Sequence, residues 1–236
     1  MKLLQTALLT LAIATGFHAT AQTADEIINK NIDASGGKEK LSQVKTIYME
    51  GEMEIMGNKA PSLTYIVDGK GYKTDVDFNG AKIITCYTDS AGWTLNPMAG
   101  QTTPTPVPED VLKSGRLQLD AAGPLFNYAA KGNKVEFLGK EEGGYKLKLT
   151  TSLNTEILFF IDTASYQVVK RVTNIPANGQ QIEMTVENSD FRKTDFGTVM
   201  PYTMKLNFPG LTITNTSNKI VINKEIDKAV FEMPKQ

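Results

Sequence analysis

The sequence predicts a mainly β (α+β) domain, in which about a dozen short strands form one antiparallel sheet, sandwich or barrel with two or three short helices. Three observations carry this. From Thr46 almost to the C-terminus the apolar residues recur with period two. Turn signals such as Asp68-Gly69, Asn79-Gly80 and Pro209-Gly210 punctuate the alternation at short spacing. Helical periodicity is confined to the start of the chain and to one stretch after a proline-rich segment.

Of the 236 residues, the first 21 read as a signal peptide. Lys2 supplies a positive start, Leu3 to Phe17 an apolar run too short for a typical membrane span, and Ala19-Thr20-Ala21 a cleavage signal. Cleavage after Ala21 leaves residues 22–236 as a single exported, soluble domain. No cysteine stands at the cleavage site to accept lipid. A helix follows: Thr23 and Glu26 make a capping box, Ala24, Ile27, Ile28 and Ile32 share a stripe, and Gly36-Gly37 stops it. A short turn of helix is expected over Lys38 to Val44.

Ile47, Met49, Met53 and Ile55 then share one face of a strand, with Tyr48, Glu50, Glu52 and Glu54 on the other. Strands are expected at Ser62 to Val67, Tyr72 to Phe78, Ala81 to Thr88 and Trp93 to Asn96. Four prolines between Pro97 and Pro108 predict a long loop. Pro108 to Leu119 reads as a helix, although Gly115 weakens it. Alternation resumes at Lys134. It runs through Tyr145 to Thr150, Glu156 to Ile161 and Tyr166 to Thr173, then turns at Ala177-Asn178-Gly179. Beyond that turn come Ile182 to Glu187, Met200 to Phe208, Leu211 to Thr216 and a last strand near Ile220 to Ile222.

Composition excludes several classes of function. Lys plus Arg number 25 and Asp plus Glu 26, with a pI near 6.0, so no global basic field exists to hold nucleic acid. The one histidine, His18, falls in the signal peptide; the mature chain has none, which removes histidine-based triads and His-ligated zinc or haem. Cys86 is alone, cannot form an intramolecular disulfide, and sits in a strand-like run as a small buried hydrophobe. Glu50, Glu52 and Glu54 describe a solvated face opposite an apolar one rather than an acid–base centre. Asp75 and Asp77 have too few oxygen neighbours for calcium. Gly36-Gly37-Lys38 lacks phosphate-loop spacing. No metal or cofactor is expected, and no catalytic group.

The positive signal is a wide, methionine-rich sheet face. Alternation places Met49, Met53, Ile55, Val76, Phe78, Met184, Met200, Tyr202, Met204 and Leu206 inward. Methionine is unbranched and adaptable, suited to apolar ligands of varied shape. Few helices are available to cover so many strands, which leaves part of the face for a hydrophobic ligand. The Pro97 to Pro108 loop and the helix after it, with Val107, Val111 and Leu112, are the expected lid.

Short motifs add a resemblance. Ala24-Asp25-Glu26-Ile27-Ile28 with Gly36-Gly37, Gly92-Trp93-Thr94-Leu95-Asn96-Pro97, Gly123-Pro124-Leu125, Tyr145-Lys146-Leu147, Ile226-Asp227 and Phe231-Glu232-Met233-Pro234 occur in an order that spans nearly the whole mature chain. Together they resemble the periplasmic outer-membrane lipoprotein-sorting carriers, the LolA-like proteins. Gly92 to Pro97 is similar to that family's strand ending in a D/N-P turn, and Phe231 to Pro234 to its C-terminal F-x-x-P. The resemblance implies an unclosed antiparallel β-barrel with helices over the concave face of a strongly curved sheet. It also implies a hydrophobic cavity for acyl chains and a periplasmic, monomeric, non-enzymatic carrier of acylated lipoproteins or other lipids towards the outer membrane. Its partners would be inner- and outer-membrane transfer proteins. An envelope sensor or interaction module on the same fold is the alternative. In one respect the chain departs from the family, whose early strands carry arginines near the cavity mouth. Here Lys59, Lys70, Lys73 and Lys82 stand there, and the arginines are Arg116, Arg171 and Arg192.

Overall fold

The computed structural model describes residues 23–141, 143–177 and 179–234; the expected signal peptide and Asn178 of the expected 177–179 turn lie outside the described residues. Helix α1 spans Ala24–Ala34 and opens with the capping box. Glu26 N–H donates to Thr23 Oγ1 at 3.2 Å, and Thr23 N–H to the Glu26 carboxylate at 3.1 Å. Gly36 follows at φ +117°, where a Cβ would meet Gly197 O and Thr198 Cα at 2.9 Å. Only glycine allows this approach of the chain to the 194–198 turn. Helix α2 is short, Lys38–Gln43.

Thirteen strands follow in one antiparallel sheet. They are β1 Thr46–Ile55, β2 Asn58–Val67, β3 Gly71–Phe78, β4 Ala81–Thr88, β5 Gly92–Leu95, β6 Thr105–Pro106, β7 Lys134–Glu141, β8 Gly144–Thr150, β9 Glu156–Asp162, β10 Val168–Ala177, β11 Gln180–Lys193, β12 Val199–Phe208 and β13 Leu211–Ile222. The spatial order is 6-5-4-3-2-1-13-12-11-10-9-8-7. The chain starts at the middle of the sheet, meanders out to β6, crosses to the opposite edge and meanders back until β13 pairs with β1. The crossing carries helix α3, Glu109–Gly115, and a 3₁₀ turn at Arg116–Leu119. The sheet is curved but does not close: β6 and β7 remain edges, so this is an open sheet rather than a complete barrel.

Three expectations are corrected. The segment from Pro97 to Pro108 is not all loop, because Pro97–Ala99 form a 3₁₀ turn and Thr105–Pro106 pair with β5. Helix α3 gives way to the tighter turn at Arg116, four residues before the expected end at Leu119 is complete. The two expected last strands are one, β13, continuous across a register shift opposite Glu50 and Gly51.

The concave face holds two cores. Under α1, Ile27 and Ile28 pack with Tyr145, Leu147, Leu149, Ile157, Phe159 and Ile161 of β8 and β9. Val44, Ile47, Ile220 and Ile222 make the second around β1 and β13. The convex face of β3–β5 carries a third, closed by the C-terminal segment. Phe231 covers Ile84, Cys86 and Trp93, and its carbonyl accepts from Trp93 Nε1 at 3.0 Å and Cys86 Sγ at 3.3 Å. The Gly92–Pro97 and Phe231–Pro234 motifs therefore meet in space.

Candidate functional site

Between the concave face and its cover lies a cavity with two lobes, of about 310 and about 180 Å³. The larger is walled by β1–β3 on one side, through Ile47, Met49, Gly51, Thr64, Ile66, Tyr72 and Thr74. Arg171, Asn188, Met200, Met204 and Asn215 of β10–β13 wall the other. Leu41 of α2 and residues 117–118 and 120–124 form the roof. The smaller lobe continues beneath α1 to Ile32, Leu125, Phe159 and Val168, and Ser35, Leu41, Ala122, Gly123, Pro124, Arg171 and Asn188 line both.

The roof segment is pinned on both flanks. Lys131 Nζ donates to both Asp120 carboxylate oxygens, at 2.8 and 2.7 Å, and to Gly123 O at 3.0 Å. On the other flank Ala121 N–H donates to Asp68 Oδ1 at 3.1 Å, and Gly69 N–H to Leu119 O at 2.8 Å. The Asp68-Gly69 turn thus fastens the roof to the β2–β3 hairpin.

Of the residues expected to form a cavity, Met49, Met200 and Met204 line it. Val76 is buried on the same sheet face, and pairing places Met53, Ile55 and Phe78 on that face as well, beyond the cavity lining. Met184 and Leu206 flank Val186 across β11 and β12, also outside the lining. Tyr202 packs near the Val44–Ile222 cluster, with the Arg192 guanidinium 4.7 Å from its ring centre. The expected lid residues stand beside the roof rather than in it. Leu112 is buried, and Val107 fills the space next to Gly92. Helix α3 seats on Tyr87 through Gly115, where a Cβ would lie 2.5 Å from the ring, and it also packs against β10. It therefore spans the opening of the sheet.

Ile66, Tyr72, Arg171 and Asn188 are among the cavity residues absent from the expected set, and the last two are the ones regular alternation does not place. Between Val168 and Lys170 the pairing with β9 slips by one residue. Val168 and Arg171 consequently both line the smaller lobe, and Lys170 turns out over the Phe160 ring at 4.3 Å. A bulge of this kind re-aims a side chain that strict period two would send outward. Asn188 sits at the interruption, donating from Nδ2 to Val168 O at 2.9 Å. Arg171 Nε and Asn188 Oδ1 are sealed from bulk solvent and have no hydrogen-bond partner among the described residues. Burial lowers the Arg171 pKa from the ordinary arginine value, with the Tyr72 phenol across the cavity pulling the other way. Tyr72 is itself pushed up to about 12, chiefly by burial. An arginine does not lose its proton at such a site, so its charge stays. The other charged residue of the lining, Asp120, is held by Lys131.

Chemically the site offers a mostly apolar channel with one cation inside. Among the described residues no group of three His, Cys, Asp or Glu is placed to hold a metal ion. Cys86 lies on the far face, its thiol pushed up to about 11 by burial.

No family model and no curated protein matches the sequence. Solved structures do match the fold. A domain from Vibrio parahaemolyticus described as an outer membrane lipoprotein-sorting protein domain superposes with a TM-score of 0.59 at 12% identity, over 87% of this chain and 94% of that one. A DUF1329 family protein from Desulfovibrio piger gives 0.57 at 13%, over 90% and 98%. A LolA superfamily protein from Nitrosomonas europaea gives 0.56 at 12%, over 90% and 98%. The class defined by these matches is one of fold. This chain has the LolA-like fold, at a sequence distance where fold alone is established.

Proposed function

We propose that the protein is an exported periplasmic carrier that holds the acyl chains of a lipoprotein or another lipid in this cavity, reversibly and without a covalent step, for transfer towards the outer membrane. The observation that carries the reading is the two-lobed cavity, walled in part by Ile47, Met49, Ile66, Met200 and Met204 and roofed by Leu41 of α2 together with the pinned segment 117–124. Each buried methylene contributes about 0.8 kcal/mol, so a long chain is retained without specific polar contacts. The Vibrio domain described as lipoprotein-sorting and the Nitrosomonas LolA superfamily protein share the fold, and no helix among the described residues is long and apolar enough to cross a membrane. In this reading residues 1–21 are removed after Ala21, residues 22–236 act as one domain, and inner- and outer-membrane transfer proteins load and unload it.

The test is titration of folded, delipidated mature protein with a fluorescent fatty-acyl probe, with a triacylated lipoprotein as competitor. Saturable binding displaced by the competitor is expected; protein that is folded and binds no probe refutes the carrier. N-terminal sequencing of the exported protein should begin at Gln22, and retention of Met1 refutes the location.

A further inference from the structure

We propose that Arg171 and Asn188 form a head-group subsite inside the cavity, and that the preferred ligand is a single-chain amphiphile with an anionic end, its carboxylate or phosphate resting on the Arg171 guanidinium. The inference rests on the acyl-binding reading above and narrows it.

Four observations carry it. The first is the uncompensated charge. Among the described residues no carboxylate pairs with Arg171, and the other charged residue of the lining, Asp120, is engaged at both carboxylate oxygens by Lys131. The second is the pair of orphaned atoms: Arg171 Nε is a donor and Asn188 Oδ1 an acceptor, both buried. Burying unpaired polar atoms costs stability, and a chain that only needed an apolar channel would gain by replacing them. Guanidinium is also the side chain whose planar fork suits a carboxylate or phosphate.

The third observation is that the backbone is built around these residues. The β10 bulge turns Arg171 inward, and Asn188 holds the Val168 carbonyl beside it. That hydrogen bond fixes the amide orientation and directs Oδ1 away from Val168 O. The fourth is position. Both residues line both lobes, so an anion on Arg171 sits where the lobes join and its chain has the larger lobe, with Met49, Met200 and Met204 in its wall, to occupy. The Tyr72 phenol shares that lobe. Asn188 Oδ1 accepts from a hydroxyl of a glycerol-bearing ligand or from an ordered water beside a plain carboxylate. The lobes, about 310 and about 180 Å³, are of the size of a small-molecule site.

The experiment compares three probes of equal chain length on the delipidated wild-type mature protein by calorimetry: myristate, 1-tetradecanol and 1-myristoyl lysophosphatidate. Tetradecanol keeps the chain and removes the charge. At least one anion should bind about tenfold or more tightly than tetradecanol, the scale of a charge-assisted hydrogen bond in a sheltered site. The tighter of the two anions identifies the head group. In Arg171→Met this preference should vanish while tetradecanol binding persists, and Arg171→Lys should restore part of it. A measurement without any variant runs beside these. Carboxyl-labelled myristate bound to the wild type, followed by carbon NMR, should stay ionised to lower pH than the free acid in water.

Equal binding of all three probes, or a bound carboxyl that titrates no lower than the free acid, overturns the subsite and leaves the carrier intact. Failure of every probe to bind overturns the carrier itself.

Discussion

Gly51→Ala tests whether the seam of the sheet depends on a bare backbone. Gly51 pairs with Ser217 of β13 immediately after the register shift, and a Cβ there would lie 2.0 Å from Thr216 O and 2.8 Å from Ser217 Cα. All the nearest atoms are backbone of the partner strand, so no side chain can swing aside. Relief requires β1 and β13 to separate locally. Overpacking of this sort costs about 1–3 kcal/mol, and the two or so ladder hydrogen bonds that loosen with it add about 0.5–1.5 kcal/mol each. The sum is about 2–6 kcal/mol, which for a domain of this size lowers the melting temperature by roughly 4–24 °C. Ser62→Ala, at the position opposite Gly51 on β2 and on the same cavity wall, supplies the control with little expected change. Thermal denaturation followed by circular dichroism reads both. If Gly51→Ala melts within a degree of wild type, the close approach does not constrain the seam, and the reasoning from the bulge fails.

Phe231→Ala should destabilise by about 3 kcal/mol and shift the emission of Trp93, the sole tryptophan, to the red as its cover is lost; an unchanged spectrum refutes the role given to the C-terminal segment. Lys131→Met removes the donor to Asp120 and Gly123, and should speed hydrogen exchange across residues 118–126 and release of an acyl probe; unaltered exchange refutes the pinned roof. Stability should fall as pH rises above about 9. Cys86 is raised to about 11 and Tyr48 and Tyr72 to about 12, mainly by burial, from ordinary values of 9.0 and 10.0, so the unfolded chain releases these protons first. Urea unfolding at pH 8, 9.5 and 10.5 measures this, and Cys86→Ala should flatten the part below pH 10. Met204→Glu should abolish acyl binding or unfold the domain, whereas Met204→Leu should cost less than about 1.5 kcal/mol; a Met204→Glu protein that folds and binds like wild type disproves its place on the wall.

Most of the architecture was legible because it is written in local terms. The α1 capping box and the two-residue turns act within four residues, and period two survives wherever a strand is regular. What stayed hidden depends on distant partners. Helix α3 carries Gly115 against its own propensity because the Tyr87 ring, from β4, occupies the space a side chain would need. Residues 117–124 show no periodicity, and their ordering comes from Asp68, Gly69 and Lys131. The Gly123-Pro124-Leu125 motif was the one mark on that segment. The expected lid, the Pro97 to Pro108 loop with the helix after it to Leu119, meets the roof at residues 117 and 118; a proline count finds a loop, and the residues that cover a cavity are chosen by contacts the count does not contain.

Arg171 shows the limit most sharply. Read at period two from Val168, the inward positions of β10 are 170 and 172, which sends Arg171 to solvent. A one-residue slip against β9 reverses that phase, and β10 itself carries no glycine to announce it. The nearest signal lies on the neighbouring strand, where Asn188 interrupts the apolar run Ile182, Met184, Val186 on the inward face. A polar amide on an apolar stripe is costly unless something nearby needs it. Here the partner is the Val168 carbonyl beside the bulge, which accepts from Asn188 Nδ2. An inward-phase asparagine in a strand next to an arginine is therefore a sign worth weighing ahead of methionine content. The methionines say that a surface is adaptable, whereas an amide that holds a bulge open says that the backbone has been bent to present a charge.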